Sequence, residues 1–138
     1  MACSLQAENV VEVLDGETAL AWIFRREFEP NRTEFPTPDH FTLQVGYVVY
    51  PAGGAVAPHR HLPIERRLVG TSEVLFVRRG RAEADFYAAD GRLVATREVR
   101  EGDIVVLISG GHGFRMLEDT IFVEVKQGPY LGCDEKER

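Results

Sequence analysis

The chain of 138 residues has the length of one ordinary domain and is large enough to bury a hydrophobic core. Its formal net charge of -6 comes without the basic surplus or basic stripe of nucleic-acid-binding proteins, so no nucleic-acid partner is expected. Its apolar runs are too short to cross a membrane and its first residues lack the pattern of a secretory signal, which predicts a cytoplasmic protein with no membrane partner.

The first third of the chain is predicted to hold strands followed by a turn-rich arm. Asn9 to Leu14 has the pattern of a strand and is followed by the turn pair Asp15-Gly16. Thr18 to Phe28 fits either a strand or a short helix. After a proline-rich loop at 29–39, the Val- and Tyr-rich run Phe41 to Tyr50 is predicted to be a strong strand.

The rest of the chain is predicted to be short strands separated by turns. Arg81 to Tyr87 alternates polar and apolar residues, and Asp90-Gly91 then makes a hairpin turn into Leu93 to Val99. Four further strand-like runs are Glu73 to Val77, Ile104 to Ile108, Phe114 to Leu117 and Thr120 to Lys126. Turns about every ten residues, without helical crossovers, predict an all-β sandwich or barrel.

This spacing predicts a single domain over residues 1–138. Residues 1–40 would form N-terminal strands and an arm, residues 41–130 the barrel core, and residues 131–138 a solvated tail. The two cysteines, Cys3 and Cys133, lie near opposite ends without a metal-binding or redox spacing, so both are expected to be free thiols.

Three of the four histidines form a pattern with one glutamate. On a strand, His59 and His61 would project from the same face. Glu73 begins the next strand, and His112 follows Gly110-Gly111 at the start of a later one. Imidazole and carboxylate ligands of this kind suit a divalent transition metal such as Fe, Mn, Ni or Zn. His40 lies outside the pattern and is expected on the surface.

This pattern resembles the two motifs of the cupin superfamily, over roughly residues 43 to 126. The resemblance implies a double-stranded β-helix, or jelly-roll, barrel with the metal ligands inside. The residues that carry it are, for the first motif, Gly54, His59, His61, Glu73 and Gly80, and for the second, Gly102, Asp103, Gly110 and His112. The ending Glu124 to Tyr130 is similar to that of small single-domain bacterial cupin metalloproteins, some of which resemble proteins of surface-polysaccharide synthesis.

Two departures from the cupin pattern bear on the ligand set. Eleven residues, Leu62 to Ser72, separate the histidine pair from Glu73, where three or four are usual. Glu65 has the usual spacing from His61, whereas Glu73 has the glycine that follows the carboxylate in the motif. Glu73 is therefore the favoured ligand and Glu65 the alternative. In the second motif His112 arrives one residue early.

Three further residues are candidates for binding a substrate in the cavity. Gln44 lies on one face of the predicted Phe41 to Tyr50 strand, Arg67 lies beside Arg66 on the long insert, and Lys126 ends the last strand. The two cations are suited to an anionic group on the ligand. The alternation of the last strand leaves open which of its faces lines the interior.

The function expected from the resemblance is to bind a divalent metal and a small oxygenated metabolite. A metal-dependent dioxygenase or isomerase is one reading, with the metal as Lewis acid or oxygen-activating centre. A non-catalytic metabolite-binding module is another, and a nucleotide-sugar epimerase of the polysaccharide pathway is a third. A homodimer is expected, since cupins commonly dimerise through sheet edges or faces.

Overall fold

The structure, a computed structural model, describes residues 8–132 and 136–138. Its elements are eight strands, and the described residues contain no helix long and apolar enough to cross a membrane. The strands are β1 (Val10–Asp15), β2 (Thr18–Phe24), β3 (Glu73–Arg79), β4 (Arg81–Tyr87), β5 (Leu93–Arg100), β6 (Ile104–Leu107), β7 (Gly111–Met116) and β8 (Ile121–Lys126). The all-β prediction is confirmed.

The strands form two antiparallel sheets. One has five strands in the order β1-β2-β6-β3-β8, and the other has three in the order β5-β4-β7. The pairing of the described strands does not close these sheets into a barrel. The predicted hairpin at Asp90-Gly91 is present, because β4 and β5 pair directly on either side of it.

The hydrophobic core lies between the two sheets. The five-stranded sheet contributes Leu75 and Val77 from β3, and the three-stranded sheet contributes Ala82, Ala84 and Phe86 from β4. These β4 residues are the apolar half of the alternation predicted from the sequence, which is confirmed. Their small and large side chains lie against the larger residues of β3, β2 and β6, and this burial is the main source of stability.

The segment Thr18 to Phe28, which fitted either a strand or a helix, forms strand β2 over its first seven residues. β2 pairs with β1 on one side and with β6 on the other, so its backbone bonds are satisfied across two ladders. Leu20, Ala21, Ile23 and Phe24 are all buried, on both faces of the strand. A nearly continuous apolar run of this kind is typical of a central strand covered on both sides.

Residues Pro30–Gly70 form a compact unit of their own, and the prediction of a strand at Phe41 to Tyr50 is wrong. Among the described residues, the only ladder contact of that run is a single bridge between Glu34 and Tyr47. Side chains supply the hydrogen bonds that a strand would make: Thr37 Oγ1 accepts from the amide of Val45 at 3.1 Å and donates to Gln44 at 2.7 Å. Local side-chain bonds of this kind replace a sheet ladder.

The turn between β5 and β6 is held by one buried carboxylate, that of Asp103. Its side chain is fully buried and forms an ion pair with Arg25 at 2.9 Å. It also accepts hydrogen bonds from the backbone amides of Arg26 at 2.9 Å and Arg100 at 3.1 Å. The carboxylate therefore ties this turn to the end of β2.

Candidate functional site

Glu73 and His112 come together in the compact unit that contains both sheets, which consists of the described residues of 1–29 and 71–138. Glu73 pairs with Leu107 in the ladder, and His112 pairs with Phe86. Paired residues share a face of the sheet, and Leu107 and Phe86 belong to the core, so both polar side chains lie on inward faces. The Nε2 atom of His112 is 3.3 Å from Oε2 of Glu73. Two predicted ligands from opposite sheets thus meet at one end of the core.

Strand β8 adds two charged side chains to the same inward face. Lys126 pairs with Glu73, and Glu124 pairs with Leu75. This register settles the face that the alternation left open: Phe122, Glu124 and Lys126 form the inward row. Glu124 is the residue of this cluster that the predicted ligand set lacks. Its place two residues after Phe122 is the signal in the sequence that could have found it.

Burial and the neighbouring carboxyl group of Glu124 set the protonation states of Glu73 and His112. Desolvation, followed by the hydrogen bond and the charge of Glu124, raises the pKa of Glu73 to about 6, against a smaller lowering by Lys126 and Lys136. Burial also lowers the pKa of His112, which Glu124 partly offsets. At pH 7 the pair is therefore a carboxylate beside a neutral imidazole, the forms in which both groups bind metals.

The raised pKa of Glu73 predicts a pH-dependent stability in protein treated with a chelator. The protonated form stabilises the fold, so this contribution is complete below the ordinary pKa of 4.5 and is lost as the pH rises through about 6. We expect wild-type protein to lose about 1 kcal/mol of unfolding free energy relative to Glu73→Gln between pH 4.5 and 7, after solvent screening reduces the full value. Urea denaturation at a series of pH values measures this.

Glu65→Gln is the matched control, because Glu65 is exposed. Its unfolding free energy should follow that of the wild type across the whole range. A difference between wild type and Glu73→Gln that stays constant from pH 4.5 to 7 would contradict the raised pKa.

His59 and His61 lie in the other unit, in a segment that forms no strand. The alternation of a strand is therefore not what brings them together, and that part of the prediction is wrong. Their rings are nevertheless neighbours, with centroids 5.3 Å apart and an angle of 70° between the ring planes. Nδ1 of His59 is 2.8 Å from the carbonyl oxygen of Ala57. A proton on Nδ1 in that bond leaves Nε2 as the free electron-pair donor.

The 5.3 Å between the two ring centres is also the separation found for two imidazoles that bind one ion. Two rings that bind one tetrahedral metal through nitrogens about 2.1 Å from it have centres roughly 5 Å apart. Metal-binding histidines commonly donate their second ring N–H to a backbone carbonyl, as the contact of His59 with Ala57 allows. Within residues 8–132 and 136–138, no group of three or more His, Cys, Asp or Glu side chains stands in a metal-holding arrangement. The four predicted ligands therefore lie as two pairs, His59 with His61 and Glu73 with His112.

The predicted substrate-binding residues fall in two places. Gln44 and Arg67 line one open cleft of about 800 Å³ in the Pro30–Gly70 unit. The Gln44 amide is engaged there, donating to the carbonyl oxygens of Pro38 and Phe41, each at 2.9 Å. Lys126 lies on the inward face beside Glu73, with its Nζ 5.1 Å from the ring centre of Tyr130.

Comparison of the chain with protein-family models, with curated proteins and with solved structures gives no match.

Proposed function

We propose that this chain is a metal-binding protein of the double-stranded β-helix type, which holds one divalent transition ion and a small oxygenated molecule. The proposed ligands are His59, His61, Glu73 and His112. The observation that carries the proposal is the meeting of Glu73 and His112, 3.3 Å apart, on the inward faces of two different sheets. The histidine pair is added to the proposed ligand set on the order of the motifs in the sequence alone.

The strand pairing supports the proposed fold. β3 pairs with β8, and β4 pairs with β7, so the partners are nested along the chain like the two arms of one long hairpin. β3 also pairs with β6, and β4 with β5. Rolling a long antiparallel hairpin in this way produces the two sheets of a jelly roll.

The protonation and orientation of the ligands support the proposed ion. At pH 7 Glu73 is ionised and His112 is neutral, and the carbonyl of Ala57 orients the His59 ring. Lys126, on the same inward face, is the proposed partner of a carboxylate or phosphate group of the small molecule. When bound, the metal would supply Lewis acidity, or oxygen activation if it is iron.

Metal content tests the histidine ligands. Protein purified without a histidine tag is expected to hold about one metal ion per chain after reconstitution with Fe, Mn, Ni or Zn, measured by plasma mass spectrometry. His61→Ala removes one of the two neighbouring imidazoles and should lower the metal affinity by at least tenfold, since losing a ligand costs more than losing its orienting partner.

His40→Ala is the control, because His40 is the one histidine outside the proposed set. It should bind metal like the wild type. If the wild type takes up no stoichiometric metal, or if His40→Ala loses as much affinity as His61→Ala, the proposal is wrong.

A pair of glutamine variants tests the choice of carboxylate. Glu73→Gln is expected to weaken metal binding by at least tenfold, because Glu73 is 8% exposed and contacts His112. Glu65→Gln, the same change at an exposed glutamate, should leave the affinity unchanged. Competition with a chelating dye measures both. The reverse ranking would assign the carboxylate to Glu65.

A further inference from the structure

The cleft of the Pro30–Gly70 unit is lined by a cluster of positive charge, although the chain as a whole is acidic. Arg66 and Arg67 line it together, against one lining carboxylate, that of Asp39. The whole chain is acidic, with a net charge of -6. Two neighbouring guanidinium groups offer planar, paired N–H donors that match the oxygens of a carboxylate or a phosphate.

These two guanidinium groups are available to a ligand. Among residues 8–132 and 136–138, neither Arg66 nor Arg67 forms an ion pair, whereas Arg25, Arg81 and Arg115 each pair with a carboxylate. Both arginines are exposed. Their charge is therefore not used to hold this part of the chain together.

The same cleft has an apolar side. Phe35 and Leu68 line it and are 60% and 43% exposed, and the buried ring of Phe41 lies beside them. Exposed aromatic and aliphatic surface next to unpaired cations is the combination that binds the apolar body and the anionic end of one molecule. The volume of about 800 Å³ is within the range of small-molecule sites.

We infer that this cleft binds a small molecule that carries a carboxylate or phosphate group on an aromatic or apolar body. The anionic group lies against Arg66 and Arg67, and the apolar body lies against Phe35 and Leu68. Binding at this cleft needs no metal, so it goes beyond the function proposed above and does not depend on it.

The test is a titration of the full chain, treated with a chelator, with benzoate, phenyl phosphate and acetate. Isothermal titration calorimetry gives the affinities, and amide NMR shifts give the location. We expect saturable binding of at least one aromatic anion, at least tenfold tighter than acetate, with shifts in residues 35–44 and 66–68. Tighter binding of benzoate assigns a carboxylate ligand, and tighter binding of phenyl phosphate assigns a phosphate.

The double variant Arg66→Ala/Arg67→Ala should weaken this binding at least tenfold. Arg66→Lys/Arg67→Lys keeps the charge but loses the planar fork, so an intermediate loss is expected. The matched control is Arg78→Ala/Arg79→Ala, which removes an exposed adjacent arginine pair at the end of β3 and should bind within twofold of the wild type.

Three results would overturn the inference: no saturable binding of either aromatic anion, acetate binding as tightly as benzoate, or unchanged affinity in Arg66→Ala/Arg67→Ala. The metal content of that double variant separates this inference from the proposed function. It should equal that of the wild type, because neither arginine belongs to the proposed ligand set.

Discussion

Replacing Asp103 with alanine is expected to lower the free energy of unfolding by about 2–4 kcal/mol, because two backbone amides and one guanidinium lose a buried acceptor. The Asp103 carboxylate has no exposed surface, and its removal takes one acceptor from each of three donors. The amides of Arg26 and Arg100 lose their hydrogen bonds. The partly buried guanidinium of Arg25 keeps the carbonyl oxygen of Glu98 as an acceptor. The wild-type turn between β5 and β6 has no other side chain that supplies these acceptors within the described residues.

Urea denaturation at pH 7 measures this loss. Asp119→Ala is the matched control, because Asp119 is an exposed aspartate in another turn, and its effect should stay within about 0.5 kcal/mol. The double variant Arg25→Ala/Asp103→Ala should lose less than the sum of the two single variants, since both residues take part in the same ion pair. A loss below about 1 kcal/mol for Asp103→Ala would show that the buried carboxylate and its hydrogen bonds do not stabilise the fold.

Gly110→Ala is the second substitution with a large expected effect, a loss of at least about 3 kcal/mol. Gly110 has a φ of +69°, a conformation that costs an L-residue about 1–2 kcal/mol. A Cβ atom there would also overlap the backbone oxygen of Tyr87. A backbone oxygen cannot move aside as the end of a flexible side chain can. The start of β7 would have to shift, and His112 with it.

Gly91→Ala separates the two causes. Gly91 also has a positive φ, +88°, but a Cβ atom at Gly91 would have no neighbour within 4 Å. It should therefore lose only about 1–2 kcal/mol. Urea denaturation compares the two variants, and an equal loss in both would mean that the close approach to Tyr87 carries no energy.

The strands that the sequence predicts well are those in which the alternation of polar and apolar residues matches the alternation of exposed and buried side chains. In β4, the alternation of Ala82, Ala84 and Phe86 with polar neighbours matches the inward and outward rows of the structure. The turn glycine Gly91 likewise gives the hairpin into β5. Local pattern is sufficient here because the neighbouring strand follows directly in the chain.

The run at 41–50 shows where local pattern is insufficient. A run with strand propensity forms a strand only when a partner strand is available, and within the described part of the chain this run forms a single bridge, at Tyr47. The side chains of Thr37 and Gln44 supply hydrogen-bond acceptors and donors instead. Strand propensity does not predict these side-chain hydrogen bonds. His59 and His61 also lie in a segment that forms no strand, so strand spacing does not explain why their rings are neighbours.

The candidate site was predictable in part from motif spacing. The spacing to Gly80 favoured Glu73, and the structure brings Glu73 to His112. The alternation of the last strand puts Glu124 and Lys126 on one face, but only the register between β3 and β8 shows that this face points inward. A shift of one residue in that register would turn both side chains to the outer face.

The nested pairing of β3 with β8 also has a consequence for synthesis of the chain. During translation, β3 emerges well before β8, so one edge of β3 stays open until Ile121–Lys126 has left the ribosome. Pairings this distant in sequence slow folding. An incomplete chain that stops before Ile121 presents that open edge to other chains, and a strand edge of this kind is a template for aggregation.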